Sequence, residues 1–274
     1  DMKRDILKDA ATAGPWLGLI KATEGDCARD AIGLSACSSE DRQRLHDLYG
    51  VPLENIAIVP NGVAADEIPD MPVEVRQRVA RRLGGSQGAP AAVFVGSWHG
   101  PNIEAVRWII QSLAPATPGV NYWVLGSVCN YWKNLRNKSL PANVILLGQL
   151  DESDKNAVLS CAQIALNPVT TGSGSNLKMA EYIVAGLSVV STQFGCRGLN
   201  IEGLPAVRVV ELDEFSSQIE DLALNTPAKP LPTGEFNGKR ALIEAFDWDR
   251  IADGYFTHLV SVFGQLVTDR ANGE

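Results

Sequence analysis

Residues 170–192 read TTGSGSNLKMAEYIVAGLSVVST and join a loop of small residues to an apolar helix and then to an apolar strand. The run before them, AQIALNP at 162–168, has the composition of a buried strand. Strand, helix and strand in this order predict a right-handed βαβ unit with two parallel strands. The loop should therefore lie at the carboxyl end of its strand, where open parallel sheets bind their ligands.

The same alternation extends over most of the chain from residue 91 onward. Further strand candidates lie at 91–97, 121–127, 143–149, 187–192 and 206–212, with helical patterns at 102–113, 152–162, 175–186 and 214–224. Strands that are apolar almost throughout are typical of a sheet covered on both faces. The sequence therefore predicts an α/β fold with a doubly wound parallel sheet.

The first 60 residues have a different pattern. Residues 31–37 form one strand-like run, and Ser38 or Ser39 should cap a helix that ends at Gly50. The segment ENIAIVPNGV at 54–63 follows and ends in a Pro-Asn-Gly turn. Because one strand cannot form an independent sheet, we expect this region to be part of a larger domain.

These patterns divide the chain into three parts. We expect residues 1–62 to be a remnant of an N-terminal domain and 63–246 to be the main α/β domain. Residues 247–274 should be a C-terminal helix, after the Pro- and Gly-rich stretch 226–238. Because the first residue is Asp1 rather than Met, we expect a segment of a longer protein.

Composition excludes several classes of protein. The 274 residues carry a net charge of −8 and include no apolar run of about 18 residues that could span a bilayer. An acidic chain is not attracted to nucleic acid in general, so an anionic ligand needs a local site. The five cysteines have no zinc-site spacing, which predicts reduced thiols and a cytoplasmic location. No Asp-x-Asp pair stands at a strand end, so no metal is implied.

The loop after residue 168 has the composition of an anion site. Small residues let the backbone approach an anion, and the helix that follows presents unpaired N–H groups. A flexible loop with Ser175 as N-cap explains the same residues, and both interpretations stay open on this pattern alone. A nucleotide P-loop requires Gly before its lysine, but Leu177 precedes Lys178 here. Leu177 also occupies the place of the third glycine of a dinucleotide fingerprint.

Lys178 and Glu181 are three residues apart and share a helix face. An ordinary surface ion pair between them is one interpretation. The other is that Lys178 binds an anion, because the helix dipole disfavours a cation in the first turn unless an anion is near. Glu181 is then one turn further along, where it reaches hydroxyl groups of the same ligand.

Four other side chains of the βα units are candidates for the site or for the core. His99 follows the strand candidate 91–97 and is a possible active-site histidine, since such loops collect functional residues. Arg197 follows a later strand, and a position in the cleft and a position in solvent both stay open. Trp98 and Trp108 are expected in the core, because aromatic residues of βα units are mostly packing residues.

An ordered set of motifs resembles a known family. NIAIVPNGV, AAVFVGSWHGPNIEAVRWI, NVILLGQL, NPVTTGSGSNLKMAEYIVAGLSVVST and GCRGL look like the C-terminal half of the group 1 (family four) glycosyltransferases of GT-B fold. The resemblance implies a Rossmann-like, donor-binding domain that uses a nucleotide-diphosphate sugar and no cofactor. It also implies transfer of the sugar to an acceptor hydroxyl with retention, in glycan or polysaccharide biosynthesis. By the same resemblance, residues 1–62 would be the remnant of the acceptor-side domain with the crossover, and the helix at 247–274 would cross back toward it.

The resemblance also implies roles for individual residues. Glu181 would bind the ribose hydroxyls, and Lys178 would neutralise the diphosphate; these two are the candidate catalytic residues. Gly96 and Ser97 would lie beside the phosphates, and Gln149 and Leu150 beside the base. The residues that would cradle the diphosphate are Gly172, Ser173, Gly174, Ser175 and Asn176.

The chain departs from the family pattern in two places. The loop lacks the second glutamate that the family commonly carries, and Ser97 replaces a basic residue. The partners implied are a nucleotide-sugar donor and a glycan, lipid or small-molecule acceptor, and no nucleic acid. Peripheral membrane contact and a homo-oligomer formed through the N-terminal segment stay open. So do a non-catalytic binding module and another GT-B enzyme, such as a sugar-nucleotide epimerase.

Overall fold

A computed structural model describes residues 10–63, 89–133, 139–172, 176–199, 206–225 and 246–272, together with 72, 74, 78, 79, 81, 83 and 204. Ser173, Gly174 and Ser175, which the sequence analysis assigned to the diphosphate loop, lie outside the described residues. So does the Pro- and Gly-rich stretch 226–238.

The N-terminal segment contains two elements that sequence reasoning missed. Helix α1 (Ala10–Asp30) was not predicted, and it carries Pro15 and two glycines in its first half. Strand β1 (Leu34–Ala36) and helix α2 (Ser39–Tyr49) follow as expected. After a 3-10 turn (Leu53–Asn55), strand β2 (Ile56–Ile58) pairs in parallel with β1. The expectation of a single strand here was therefore wrong, because the segment 54–63 supplies the second one.

The ends of α2 settle which serine caps it. The Ser38 side chain accepts a hydrogen bond from the Asp41 N–H at 3.0 Å, so Ser38 is the N-cap. Gly50 adopts the left-handed conformation (φ 70°) and donates its N–H to the His46 carbonyl. Both ends thus follow the capping chemistry read from the sequence.

Six strands form the main sheet, and each overlaps a predicted strand. They are β3 (Ala91–Val95), β4 (Asn121–Leu125), β5 (Val144–Gly148), β6 (Ile164–Asn167), β7 (Ser188–Ser191) and β8 (Val207–Val209). All neighbouring pairs are parallel, and the order across the sheet is β5-β4-β3-β6-β7-β8. The predicted doubly wound parallel sheet is confirmed.

Helices cover both faces of this sheet. They are α3 (Gly100–Trp108), continued by a π-helical turn (Ile109–Leu113) and Ala114–Ala116, then α4 (Cys129–Lys133), α5 (Glu152–Cys161), α6 (Leu177–Val184) and α7 (Phe215–Asn225). Helices α3, α4 and α7 pack into one core cluster with Phe94 and Tyr122. Helices α5 and α6 pack into a second cluster with Trp123. The near-continuous apolar strands are explained by this burial on two sides.

The C-terminal helix α8 (Trp248–Asn272) confirms the helix predicted there. Val63 donates its N–H to the Phe246 carbonyl at 2.7 Å, so the two ends of the main domain meet at the start of α8. At Gly62 a Cβ would lie 2.8 Å from the Phe246 carbonyl oxygen, which explains the glycine of the Pro-Asn-Gly turn. The proposed division at residues 62 and 246 stays a prediction.

The strand order reverses next to β3. Strands β4 and β5 lie on one side of it, and β6, β7 and β8 lie on the other. Connections that leave β3 and β6 therefore diverge to opposite faces of the sheet and open a crevice at the carboxyl ends of these two strands.

Candidate functional site

A cavity of about 310 Å³ occupies the crevice between the ends of β3 and β6. Its walls come from the end of β3 and the start of α3, from the loop after β6 and the start of α6, and from the turn after β7. The lining residues are Val95, Gly96, Ser97, His99, Pro101, Asn102, Val169, Thr171, Gly172, Asn176, Leu177, Lys178, Glu181, Phe194 and Arg197. Seven of the predicted site residues are thus brought together.

Two helices begin at this cavity. His99 is the N-cap of α3 and Asn176 is the N-cap of α6, and neither side chain caps its own helix. Asn176 instead donates its side-chain amide to the Gly195 carbonyl at 2.9 Å. The first N–H groups of both helices consequently present their partial positive charges to one space. An anion is favoured there.

Lys178 extends from the first turn of α6 into the cavity. Its Nζ donates to Asn102 Oδ1 at 2.7 Å and lies 4.5 Å from the centre of the Phe94 ring. Burial lowers the pKa of Lys178 to about 7, and the negative charge of Glu181 opposes this shift only in part. The lysine is therefore held by a neutral amide and an aromatic ring.

Asn102 is a functional candidate that sequence reasoning missed. Besides accepting from Lys178, its amide nitrogen donates to the Ser97 carbonyl at 3.2 Å and to Ser97 Oγ at 3.3 Å. It thereby connects the strand-end loop to the lysine. The available signal was its position: an asparagine in the first turn of a helix that starts immediately after a strand-end loop.

Glu181 lines the cavity but pairs with a residue of the neighbouring helix. Its Oε1 lies 2.8 Å from Lys155 Nζ, and the same Nζ lies 2.6 Å from Glu152 Oε1. Burial alone would lower the pKa of Lys155, but hydrogen bonds and charges from the two carboxylates outweigh it and raise the pKa. The surface ion pair between Lys178 and Glu181, considered from the sequence, is replaced by this arrangement.

Close backbone packing explains the glycine at the end of β3. A Cβ on Gly96 would lie 2.8 Å from the Phe94 ring and 3.2 Å from Asn102. The next strand end approaches from the other side: Gly126 has φ 98°, and a Cβ there would lie 2.2 Å from the Gly96 carbonyl oxygen. Tyr182 of α6 accepts the Val95 N–H at 2.8 Å and ties the helix to the end of β3. These contacts fix the floor of the cavity.

The remaining predicted residues differ in position. Ser97 and His99 line the cavity with Gly96, whereas Gln149 and Leu150 follow β5 and are not among its lining residues. Gln149 is exposed, and Leu150 packs against the second core cluster. Arg197, for which two positions stayed open, lines the cavity.

The two tryptophans considered from the sequence do not share one environment. Trp108 packs edge-on against Phe215 with ring centres 5.3 Å apart, as expected for the core. The expectation for Trp98 was wrong, because 50% of this residue is exposed and its ring meets the edge of Tyr131 at 6.4 Å. The cause is its place in the strand-end loop, where the backbone has already left the sheet.

Among the described residues, no three His, Cys, Asp or Glu side chains converge as metal ligands would. All five cysteines fall within the described part of the chain, and none forms a disulfide. Within that part, every helix is too short or too polar to cross a bilayer.

Comparison with protein families decides what this fold and site belong to. The model of the family described as "Glycosyl transferases group 1" matches residues 89–225, which is half of the 274 residues. The chain belongs to the group 1 glycosyltransferases. The matched range contains the main sheet, both helix N-termini and every lining residue of the cavity.

Solved glycosyltransferase structures share the fold. Anabaena HepE, crystallised with UDP and glucose, is 18% identical with a TM-score of 0.65 over 86% of this chain and 64% of HepE. Sucrose-phosphate synthase of Thermosynechococcus elongatus is 17% identical with a TM-score of 0.68 over 89% of this chain and 62% of the synthase. WaaG, a glycosyltransferase of lipopolysaccharide biosynthesis, is 18% identical with a TM-score of 0.54 over 77% of this chain and 56% of WaaG.

These likenesses establish the GT-B fold for this group 1 glycosyltransferase. Its chain spans slightly less than two thirds of the length of the HepE structures, which it covers to 64% and 65%. No curated protein matches it significantly. The predicted family and fold are confirmed, while the donor and the acceptor are matters for proposal.

Proposed function

We propose that this chain binds a nucleotide-diphosphate sugar in the cavity and transfers the sugar to an acceptor hydroxyl with retention, forming a glycan or polysaccharide. The observation that carries the proposal is the Lys178 environment. A lysine amine at the start of a helix contacts Asn102 and Phe94, while Glu181, the nearest carboxylate on its own helix face, pairs with Lys155. A ligand phosphate would supply the counter-charge.

The electrostatic field of the cavity supports a diphosphate rather than a neutral sugar alone. Two helix N-termini converge there, and each contributes up to about 2 kcal/mol toward an anion in a partly buried geometry. Lys178 and Arg197 add positive charge to the same space. Gly172 has φ 129°, a conformation that favours glycine.

The position of Glu181 favours a ribose next to that diphosphate. It follows Lys178 by three residues, which is about 4.5 Å along the helix axis and close to the separation of a phosphate and its own pentose. The carboxylate accepts hydrogen bonds, and the two hydroxyls of a ribose donate them. Lys155 holds the carboxylate in place from the other side.

The chemistry of transfer fits this distribution of charge. When the bond between the sugar and the diphosphate breaks, negative charge grows on the departing diphosphate. Donors already fixed at that position stabilise the transition state more than the ground state. We assign the phosphates to Gly96, Ser97, Lys178 and the loop 172–176, and the base to the side of Gln149 and Leu150. His99 is assigned to the sugar end.

Titration of the wild-type chain with UDP, GDP and ADP tests the proposal. HepE was crystallised with UDP and with UDP-glucose, so UDP is the first ligand to titrate here. We expect one of the three to bind with a dissociation constant in the micromolar range, about −8 kcal/mol. Binding of none of them would overturn the proposal.

A second assay separates a transferase from a binding module. Hydrolysis of the sugar nucleotide whose nucleotide binds, followed as free sugar, should be measurable with the chain or with a longer form of the protein. Nucleotide binding without any hydrolysis or transfer in the longer form would favour the non-catalytic module. The family match favours transfer over the epimerase alternative.

A further inference from the structure

We infer that Arg197 binds the terminal phosphate of the donor, the phosphate that carries the sugar. The inference rests on the proposed function and adds a residue from a strand end that the sequence analysis left undecided. It is carried by a rigid turn after β7, by the direction in which that turn presents the guanidinium, and by the order of side chains along the cavity.

The turn after β7 is fixed by hydrogen bonds from two other parts of the cavity wall. The Gly195 carbonyl accepts from Asn167 Nδ2 at 2.8 Å and from Asn176 Nδ2 at 2.9 Å. The Gly195 N–H donates to Thr192 Oγ1 at 2.9 Å, and Thr192 Oγ1 donates to the Val169 carbonyl. The turn is thus joined to β6, to the loop after it and to the α6 N-cap.

Close packing requires a glycine at the centre of this turn. A Cβ on Gly195 would lie 2.4 Å from Ser191 Oγ and 2.7 Å from the Asn167 carbonyl oxygen. The 3-10 turn Phe194–Cys196 is therefore pressed directly onto the ends of β6 and β7. A side chain that leaves this turn starts from a defined point.

Arg197 leaves the turn toward the cavity. Its guanidinium carbon lies 4.3 Å from the centre of the Phe194 ring, and its Nη1 lies 3.4 Å from the Gly172 carbonyl oxygen. Phe194 and Gly172 are both lining residues of the cavity. A guanidinium is planar and carries its N–H donors in a fixed fork that matches two oxygens of one phosphate.

The order of side chains assigns Arg197 to one phosphate. Glu181, at the ribose position, lies deepest along α6, and Lys178 lies one turn nearer the helix start. Arg197 contacts Gly172, which precedes the α6 N-cap Asn176 along the chain, whereas Glu181 lies inside the helix. A ligand with its ribose at Glu181 and its first phosphate at Lys178 would therefore place its second phosphate at Arg197.

Binding of matched nucleotide pairs tests the inference, because only diphosphates carry the terminal phosphate. Titrations would use UDP with UMP, GDP with GMP and ADP with AMP, on wild type, Arg197→Met, Arg197→Lys and Arg208→Met. Arg208 is the matched control: it bonds Asp221 and Gln218 at the β8 edge, away from the cavity. Circular dichroism confirms that each variant is folded.

We expect Arg197→Met to lower affinity for the diphosphate about tenfold or more, as for a hydrogen bond to a charged group, and to leave affinity for the monophosphate unchanged. Arg197→Lys should lose less affinity for the diphosphate, because lysine keeps the charge but lacks the paired N–H donors of the guanidinium. Arg208→Met should bind the diphosphate as tightly as wild type. The assignment of Arg197 would be overturned if Arg197→Met lost the same affinity for the diphosphate and the monophosphate, or lost none. In either case, binding of the diphosphate by wild type would still support the proposed function. A wild type that binds no nucleotide would remove the proposed function itself.

Discussion

Two half-buried lysines on adjacent helices, Lys155 of α5 and Lys178 of α6, have opposite environments. Lys155 lies within 2.8 Å of the carboxylates of Glu152 and Glu181, and its pKa is raised. Lys178 contacts a neutral amide and an aromatic ring, and burial lowers its pKa to about 7. The first lysine is neutralised within the fold. Within the described part of the chain, no carboxylate forms an ion pair with the second.

The comparison distinguishes charges that are paired within the fold from the charge of Lys178, for which we propose a role in ligand binding. Arg208 resembles Lys155 in this respect, since it pairs with Asp221 at 2.6 Å on the outer edge of the sheet. A perturbed lysine in a cleft is a candidate functional group because its environment disfavours the charge it carries. If the two lysines differ in function as they differ in surroundings, their substitution should affect different properties of the protein.

The largest expected effect is that of Lys178→Met on catalysis. In the intact enzyme, turnover should fall roughly hundredfold, since a well-placed electrostatic donor contributes about 2.7–4 kcal/mol to the transition state. Steady-state kinetics with the sugar nucleotide measures it. Thermal unfolding is the control and should show no loss of stability, because a buried charge is removed. Normal turnover in this variant would contradict the assigned role.

Glu181→Gln should weaken nucleotide binding about tenfold, which corresponds to the loss of a hydrogen bond to a charged group. The loss should disappear when the ligand is the 2′,3′-dideoxynucleotide, which has no ribose hydroxyls to bind. Glu152→Gln is the matched control, because it removes the other partner of Lys155 without touching the cavity. An equal loss in both variants would show that Glu181 acts only through Lys155.

Lys155→Met should reduce the free energy of unfolding by about 1–2 kcal/mol, because it leaves two carboxylates without their shared partner. Urea denaturation of the unliganded chain measures this change. Lys178→Met, in the same assay, should be neutral or stabilising. If both variants lost stability equally, the contrast between a structural and a functional lysine would fail.

The smallest effect is a linked protonation. The pKa of Lys178 is about 7 in the folded, unliganded protein and rises when a phosphate binds, so binding at about pH 8.5 should take up a fraction of a proton. Calorimetry in buffers of different ionisation enthalpy measures the uptake. Glu181, Arg197 and His99 face the same cavity, so the value of interest is the difference between wild type and Lys178→Met. No difference would mean that Lys178 keeps its protonation state.

The same pKa predicts how stability depends on pH. Between about pH 7 and the ordinary value of 10.5, the unfolded chain binds the Lys178 proton more tightly than the folded one. The unfolding free energy of wild type relative to Lys178→Met should therefore rise with pH across this range. Below pH 7 the folded protein contains a charged, largely buried Lys178. The unfolding free energy of wild type relative to Lys178→Met should therefore be lowest there.

Local sequence pattern was sufficient to predict the main sheet and the position of the cavity. Apolar runs and helical periods predicted all six strands, and the rule for open parallel sheets placed the cavity at the start of α6. Helix α1 was missed because Pro15 and its neighbouring glycines are unfavourable in a helix interior. Trp98 was misplaced because residue type does not reveal where a strand-end loop leaves the core.

Pairings between residues that are far apart in the sequence could not be predicted from local pattern. Asn102 and Lys178 are 76 residues apart, and Lys155 and Glu181 are 26 apart. Spacing along one helix suggested that Lys178 and Glu181 face each other, but each has a partner on a different helix. The contrast between the surroundings of Lys178 and Lys155 depends on those partners, so only the three-dimensional structure reveals it.

The most direct test of the central claim is a crystal structure of the chain with the nucleoside diphosphate that it binds. We predict diphosphate oxygens within about 3 Å of Lys178 Nζ and of the first N–H groups of α6, with the Glu181 carboxylate on the ribose hydroxyls. A structure in which the nucleotide lies elsewhere, with Lys178 still bonded to Asn102 alone, would contradict the account.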